Sequence, residues 1–171
     1  RLDRPDIAGS PPDANGMLHG MIYITERILG KKPAVPHVIL RPRNIIVGIG
    51  CRKGKTKQEI TAAVEQVLDS LQVSPCSIAH LATVELKKDE PGLVGTAAAL
   101  GVPLKWVNAG EIKEVEKMFG CSEFVRQQAG AGAVAEPSAW LTARKPLLLA
   151  PKTVFSGVTI AVVKDEGVVI G

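Results

Sequence analysis

Residues 45–60, IIVGIGCRKGKTKQEI, constrain the fold of this chain more than any other stretch. Residues 45–49 are a mostly apolar run, too short for a typical helix and followed by glycines, which predicts a buried strand. Beyond a basic loop, Thr56 has the hydroxyl of a helix N-cap, and Glu59, three residues on, completes a capping box. Ile60, Val64, Val67, Leu68 and Leu71 then recur at helical spacing and predict one buried stripe. Strand, glycine loop and capped helix together form the opening unit of an α/β domain.

The same alternation continues along the chain. Residues 77–84 predict a second strand, and the segment ELKKDEPG after it predicts a helix start, with Asp89 as cap and Pro91 in the first turn, where its missing N–H costs little. Leu93, Ala97 and Leu100 line that helix, and Gly101 stops it. Residues 103–107 predict a short strand. Asn108 and Glu111 repeat the capping-box spacing before Ile112, Val115, Met118 and Phe119. A further helix is expected from Ser122 and another over 137–143. Residues 147–150 and 158–163 read as the last strands, joined by PKTVFSG without a helix-length connection, so a hairpin is expected to close the sheet. The predicted fold class is therefore α/β, with helices layered around a mixed, largely parallel β-sheet.

Residues 1–20 are rich in Pro, Gly and Asp and read as an irregular extension. Residues 21–25 and 37–40 are strand-like but are separated by KKPAVP. The expected organisation is a linker or remnant of a preceding module over 1–43 and the α/β domain over 44–171.

Composition excludes several function classes. Apolar residues make up 46% of the 171, enough for a real core. Aromatic side chains amount to three Phe, two Trp and one Tyr, which argues against a protein that reads nucleic acid by stacking bases. The cysteines Cys51, Cys76 and Cys121 form no CxxC pair, and His19, His37 and His80 share no ligand spacing. Neither a zinc site nor a disulfide framework is expected, and a reducing cytoplasm is the plain reading. No apolar run approaches the roughly 20 residues that span a bilayer, so no membrane partner is expected.

Three loops and one strand end concentrate polar chemistry. In the first loop, Gly48, Gly50 and Gly54 follow GxGxxxG rather than the dinucleotide or Walker spacing. Its exposed N–H groups and the helix after it favour an anion, and Arg41, Arg43, Arg52, Lys53, Lys55 and Lys57 lie nearby in sequence. A tight turn with a solvated basic surface is the alternative. Cys51 sits in a setting that lowers a thiol pKa, yet has no histidine base near it in sequence and reads as loop packing. The second loop, TVELKKDE, offers Thr83, Glu85, Lys87 and Glu90 at a strand end, the side where open α/β sheets bind ligands. The third, GAGAVAEPSA, holds Glu136 as its one acid, set among small apolar neighbours that suit general acid-base work. Lys152, after the LLLA strand, adds a cation. These segments are expected to meet on one rim.

In order, GIGCRKG, LATVELKKDEPGLVGTA, SEFVRQQAGAGAVAEPSA and LLLAPKTVFSGVTIAVV resemble the carboxy-terminal domain of the CbiG/CobE family of cobalamin biosynthesis. The segment LRPRN resembles the joint that attaches this domain in longer CbiG proteins. The resemblance implies action on an anionic cobalt-corrinoid precursor: hydrolysis of cobalt-precorrin-5A, with opening of a δ-lactone and release of acetaldehyde, or binding of the precursor without turnover. It implies substrate contacts from Gly48, Gly50, Cys51, Arg52, Lys53, Gly54, Thr83 and Glu90. Glu136 is the first candidate acid-base group, with Lys87 or Lys152 as oxyanion donors. No cofactor is expected; cobalt enters only within the substrate. Other cobalamin-pathway enzymes or an amino-terminal module are the expected protein partners, and nucleic acid is not.

Overall fold

A computed structural model of the protein describes residues 6–9, 20–31, 33–116 and 134–167. The main body is a five-stranded sheet in the order β6-β5-β4-β8-β7. Its centre is β4 (Ile45–Cys51), in which every residue is buried. β5 (Ile78–Val84) pairs parallel with β4, and β6 (Leu104–Val107) pairs parallel with β5. β8 (Val158–Asp165) runs antiparallel along the other side of β4 and forms a hairpin with β7 (Pro146–Val154). The mixed, largely parallel sheet and its closing hairpin are those the sequence predicts.

One face is covered by α1 (Lys57–Ser70) and α2 (Pro91–Leu100). Helix α1 begins where its capping box places it: Thr56 Oγ1 accepts from the Glu59 N–H, and Glu59 returns a carboxylate oxygen to the Thr56 N–H at 2.9 Å. Ile60, Val64 and Leu68 are at most 1% exposed against Ile45, Val47, Ile49, Leu81 and Ile160. Burying such a side chain contributes about 1.5–3 kcal/mol each, which fixes the helix to the sheet more firmly than its cap does. Gly101 ends α2 in the left-handed region at φ 64°.

The opposite face carries α3 (Ala109–Glu116) and α4 (Ala135–Leu141), with Ala139 packed on Ile46, Ala82 and Val163. Helix α4 approaches β4 closely because position 48 has no side chain. A Cβ on Gly48 would overlap the carbonyl oxygen of Ala135 and lie 3.0 Å from the Ala139 Cβ. The helix expected from Ser122 lies outside the described residues.

Three expectations are corrected. The residue capping α2 is Glu90, not Asp89, and its side chain makes no bond to the helix. The strand expected to end at residue 150 continues through Pro151 to Val154. It lies at the edge of the sheet, where a missing N–H is tolerated, and its register with β8 shifts between Leu148 and Thr153. Arg41 and Arg43 precede β4, whereas the glycine loop follows it. Arg41 donates instead to the carbonyls of Thr25 and Arg27.

A second, three-stranded sheet is formed by β1 (Asp6–Gly9), β2 (Met21–Ile24) and β3 (His37–Leu40). Residues 26–28 run from it onto the main body. Ser74 N–H donates to the Glu26 carbonyl, Ile28 N–H to that of Gln72, and Lys164 pairs with Glu26 at 2.9 Å.

Candidate functional site

The carboxyl ends of β4 and β5 bring the first two polar loops together. Gly54, at φ 79°, turns its N–H toward Glu90, whose Oε2 accepts at 3.0 Å. Having no bond to its own helix, the Glu90 carboxylate is free to close this 36-residue separation. Lys87 Nζ stands 3.9 Å from the other oxygen of Glu90. The basic loop is thus partly neutralised by acids distant in sequence or on the next helix: Lys55 pairs with Glu59 at 2.8 Å. That bond and the Thr56 N–H and hydroxyl hold the Glu59 carboxyl down at about 2. Arg52 and Lys53 remain on the exposed surface of the loop. The Arg52 N–H donates to the Gly157 carbonyl, tying the loop to the β7–β8 turn.

Cys51 closes β4 at 1% exposure. Burial pushes its thiol pKa up; Lys87 opposes this and Glu90 adds to it. A thiol held in its neutral form is a packing group rather than a nucleophile. Thr83 is fully buried, and its Oγ1 has no hydrogen-bond partner among the described residues. Strand alternation puts Thr83 with Leu81 on the face covered by α1 and α2.

Glu136 and Lys152 form a separate pair. Glu136 is the second residue of α4 and is 7% exposed, and its Oε1 accepts the Lys152 backbone N–H at 2.8 Å. This carboxylate is on the α4 side of the sheet, the face toward which Gly48 opens. The contacts join Gly54, Lys87 and Glu90 beside Cys51, and separately Glu136 with the Lys152 backbone, with buried Thr83 and Glu136 on opposite faces of the sheet. Among the described residues no cluster of His, Cys, Asp and Glu has the arrangement of a metal site, and no helix is long and apolar enough to cross a membrane.

Sequence reasoning places His80 within a strand but gives it no site role. It is 6% exposed in β5, and its Nε2 has no partner among the described residues. Burial, with Lys105 adding and Asp165 opposing, pushes its pKa down to about 4 from an ordinary value of 6.5. Between those values the unfolded chain binds a proton that the folded chain does not. The contribution of His80 to stability is therefore full above pH 6.5, falls as pH drops, and levels off below about 4. The loss from this group is on the order of 3 kcal/mol. Urea midpoints across that range should decline more steeply for the natural chain than for His80→Gln; parallel profiles would refute the assignment.

The family described as cobalamin synthesis G C-terminus matches residues 45–163, from the first residue of β4 nearly to the end of β8. The chain belongs to this family. A cobalt-precorrin-5A hydrolase of Salmonella typhimurium is 36% identical over 114 residues, which are 67% of this chain and 32% of that protein. One from Priestia megaterium is 33% identical over 147 residues, covering 84% and 39% respectively. This member of the cobalamin synthesis G family thus spans well under half the length of the curated hydrolases it matches. Its fold matches a crystal structure of CobE, described as a protein of the cobalamin biosynthetic pathway, with TM-score 0.64 and 28% identity. That match covers 72% of this chain and 91% of the CobE chain.

Proposed function

We propose that the chain acts in cobalamin biosynthesis on an anionic cobalt-corrinoid precursor, at the hydrolysis of cobalt-precorrin-5A. The observation that carries this reading is Glu136: a buried carboxylate fixed on the Lys152 amide, within the segment that matches proteins named for that reaction. Residues 44–171 are the working domain in this reading, and 1–43 a linker or part of a preceding module, in a cytoplasmic protein.

In this reading the rim supplies the parts that such a substrate requires. A corrinoid precursor carries many acetate and propionate carboxylates, and Arg52 and Lys53 offer exposed cations to them, the Arg with a bidentate fork. Glu90 already holds a carboxylate against the Gly54 N–H; a substrate arm would exchange with it there. Lactone opening needs an activated water, donors for the tetrahedral oxyanion and proton transfer as the two-carbon fragment leaves. Glu136 is assigned the proton transfers, and Lys87 or Lys152 the oxyanion.

The partial coverage of the curated hydrolases supports a second reading, a precursor-binding component that acts with an amino-terminal module or another pathway enzyme. Incubating the purified chain with cobalt-precorrin-5A, with mass analysis of the corrinoid and an acetaldehyde assay, separates the two. Release of acetaldehyde is the expected result. Binding without release supports the second reading, and absence of binding overturns both.

A further inference from the structure

At the opposite end of the parallel strands from the glycine loop is a hollow of about 330 Å3, lined by Ile46, His80, Lys105, Thr142, Arg144 and Asp165, with Ala79 beside them. That volume is at the lower end of the range for small-molecule sites. We propose that this hollow is a second binding site, one that takes a short aliphatic carboxylate through Arg144, Lys105 and His80.

The first argument is the unpaired imidazole. A buried polar group without a hydrogen bond costs about 1–3 kcal/mol, and native proteins rarely leave one so. His80 lines the hollow, is more than nine-tenths buried, and has no partner for Nε2 among the described residues. Its low pKa keeps the ring neutral at ordinary pH, with one N–H to donate. Because His80 lines the hollow, an occupant there can supply the partner that the ring lacks.

The second argument is charge. Lys105 and Arg144 are both exposed, and neither has an ion pair among the described residues. The Asp165 carboxylate is engaged elsewhere: it accepts the backbone N–H groups of Arg144 at 3.1 Å, Lys145 at 3.0 Å and Gly167 at 2.9 Å. Although burial works to raise its pKa, those bonds, with the nearby Arg144 charge adding to them, prevail and hold it below the ordinary carboxyl value. Asp165 therefore shapes the turn that presents Arg144 without closing an ion pair with it. Among the described lining residues, two cations and one anion leave a single positive excess, which suits a monoanion better than a phosphate dianion facing Asp165.

The third argument is the shape of the remaining wall. Ile46 and Ala79 supply aliphatic surface and the described lining residues include no Phe, Tyr or Trp, so a short alkyl chain fits better than a base or an aromatic acid. Thr142 adds no selectivity, because its hydroxyl donates to the Ser138 and Ala139 carbonyls within α4. The proposal is independent of the reading of the rim, since it uses none of the same residues.

The test is a titration of the labelled full chain with sodium propionate at constant ionic strength, followed through the His80 ring nitrogens and the Ala79 and Arg144 amides. Saturable shifts centred on these residues are expected. Arg144→Gln should weaken binding at least tenfold and Lys105→Gln severalfold, with Lys88→Gln, an equal loss of surface charge, leaving it unchanged. Dispersed amide spectra verify that each variant is folded, and Lys105→Gln carries the test should Arg144→Gln disturb the neighbouring turn. Shifts that grow linearly, that sodium chloride reproduces, or that persist in both pocket variants would overturn the site. Tighter saturation by phosphate than by propionate would overturn the ligand class.

Discussion

Replacing Gly48 with valine is expected to destabilise the native fold by more than about 3 kcal/mol, although glycine to valine in a strand would ordinarily favour the strand. The conflict is between local preference and close approach. β4 is wholly buried between two helical layers, and the first turn of α4 lies directly on position 48. Any Cβ there overlaps the Ala135 carbonyl, a backbone atom that no rotamer change can withdraw. Relief requires moving α4 outward, which would unpack Ala139 from Ile46 and Val163 and pull Glu136 from the Lys152 amide. Overpacking a core costs typically 1–3 kcal/mol where side chains can yield; with backbone on one side the cost should exceed about 3 kcal/mol, a large share of a domain's net stability. Gly48→Ala should show the same effect at reduced size. Chemical denaturation of both variants is the measurement, and a Gly48→Val chain within about 1 kcal/mol of the natural one would refute this account of the α4 contact.

Gly48 also illustrates what could be read from the sequence. The strand, the capped helix and the closing hairpin were legible because each depends on neighbours in the chain: the apolar run before Gly50, the Thr56 and Glu59 pair, and the short PKTVFSG connection. The purpose of the glycines was not legible in the same way. Gly48 belongs to a sequence pattern that looks like a ligand loop, yet its missing side chain admits a helix that starts 87 residues later. Gly54 alone of the three has the left-handed φ of a turn. The Glu90 clasp was hidden for a similar reason, since capping arithmetic favours Asp89, whereas the tertiary contact uses Glu90. Lys87 and Lys152 were identified as polar groups at strand ends, but no periodicity indicates that one joins the Cys51 cluster and the other the Glu136 pair. Arg144 and Asp165 carried no sequence signal at all, because the turn that joins them is made by backbone N–H groups.

If the chain carries out the proposed hydrolysis, the Glu136→Gln chain should remain folded and lose lactone-opening turnover by about a hundredfold or more, the ordinary contribution of a positioned acid-base group. Glutamine preserves the shape and still offers a carbonyl oxygen to the Lys152 N–H, so the 2.8 Å bond that seats α4 against β7 can persist. What it removes is the ability to take up and return a proton. Alanine is the less informative substitution, because it strands the Lys152 N–H and couples any loss of activity to a loss of about 1 kcal/mol or more in stability. The decisive measurement is the pair of numbers, precursor affinity and acetaldehyde release, for the natural chain and the glutamine variant at matched thermal stability. Unchanged affinity with lost release assigns the proton transfers to Glu136. Equal release from both would remove Glu136 from the chemistry and leave its carboxylate as a fastening between α4 and β7. A parallel fall in affinity and release would instead make it a substrate contact, with the acid-base group to be sought on the Lys87 and Glu90 side of the sheet.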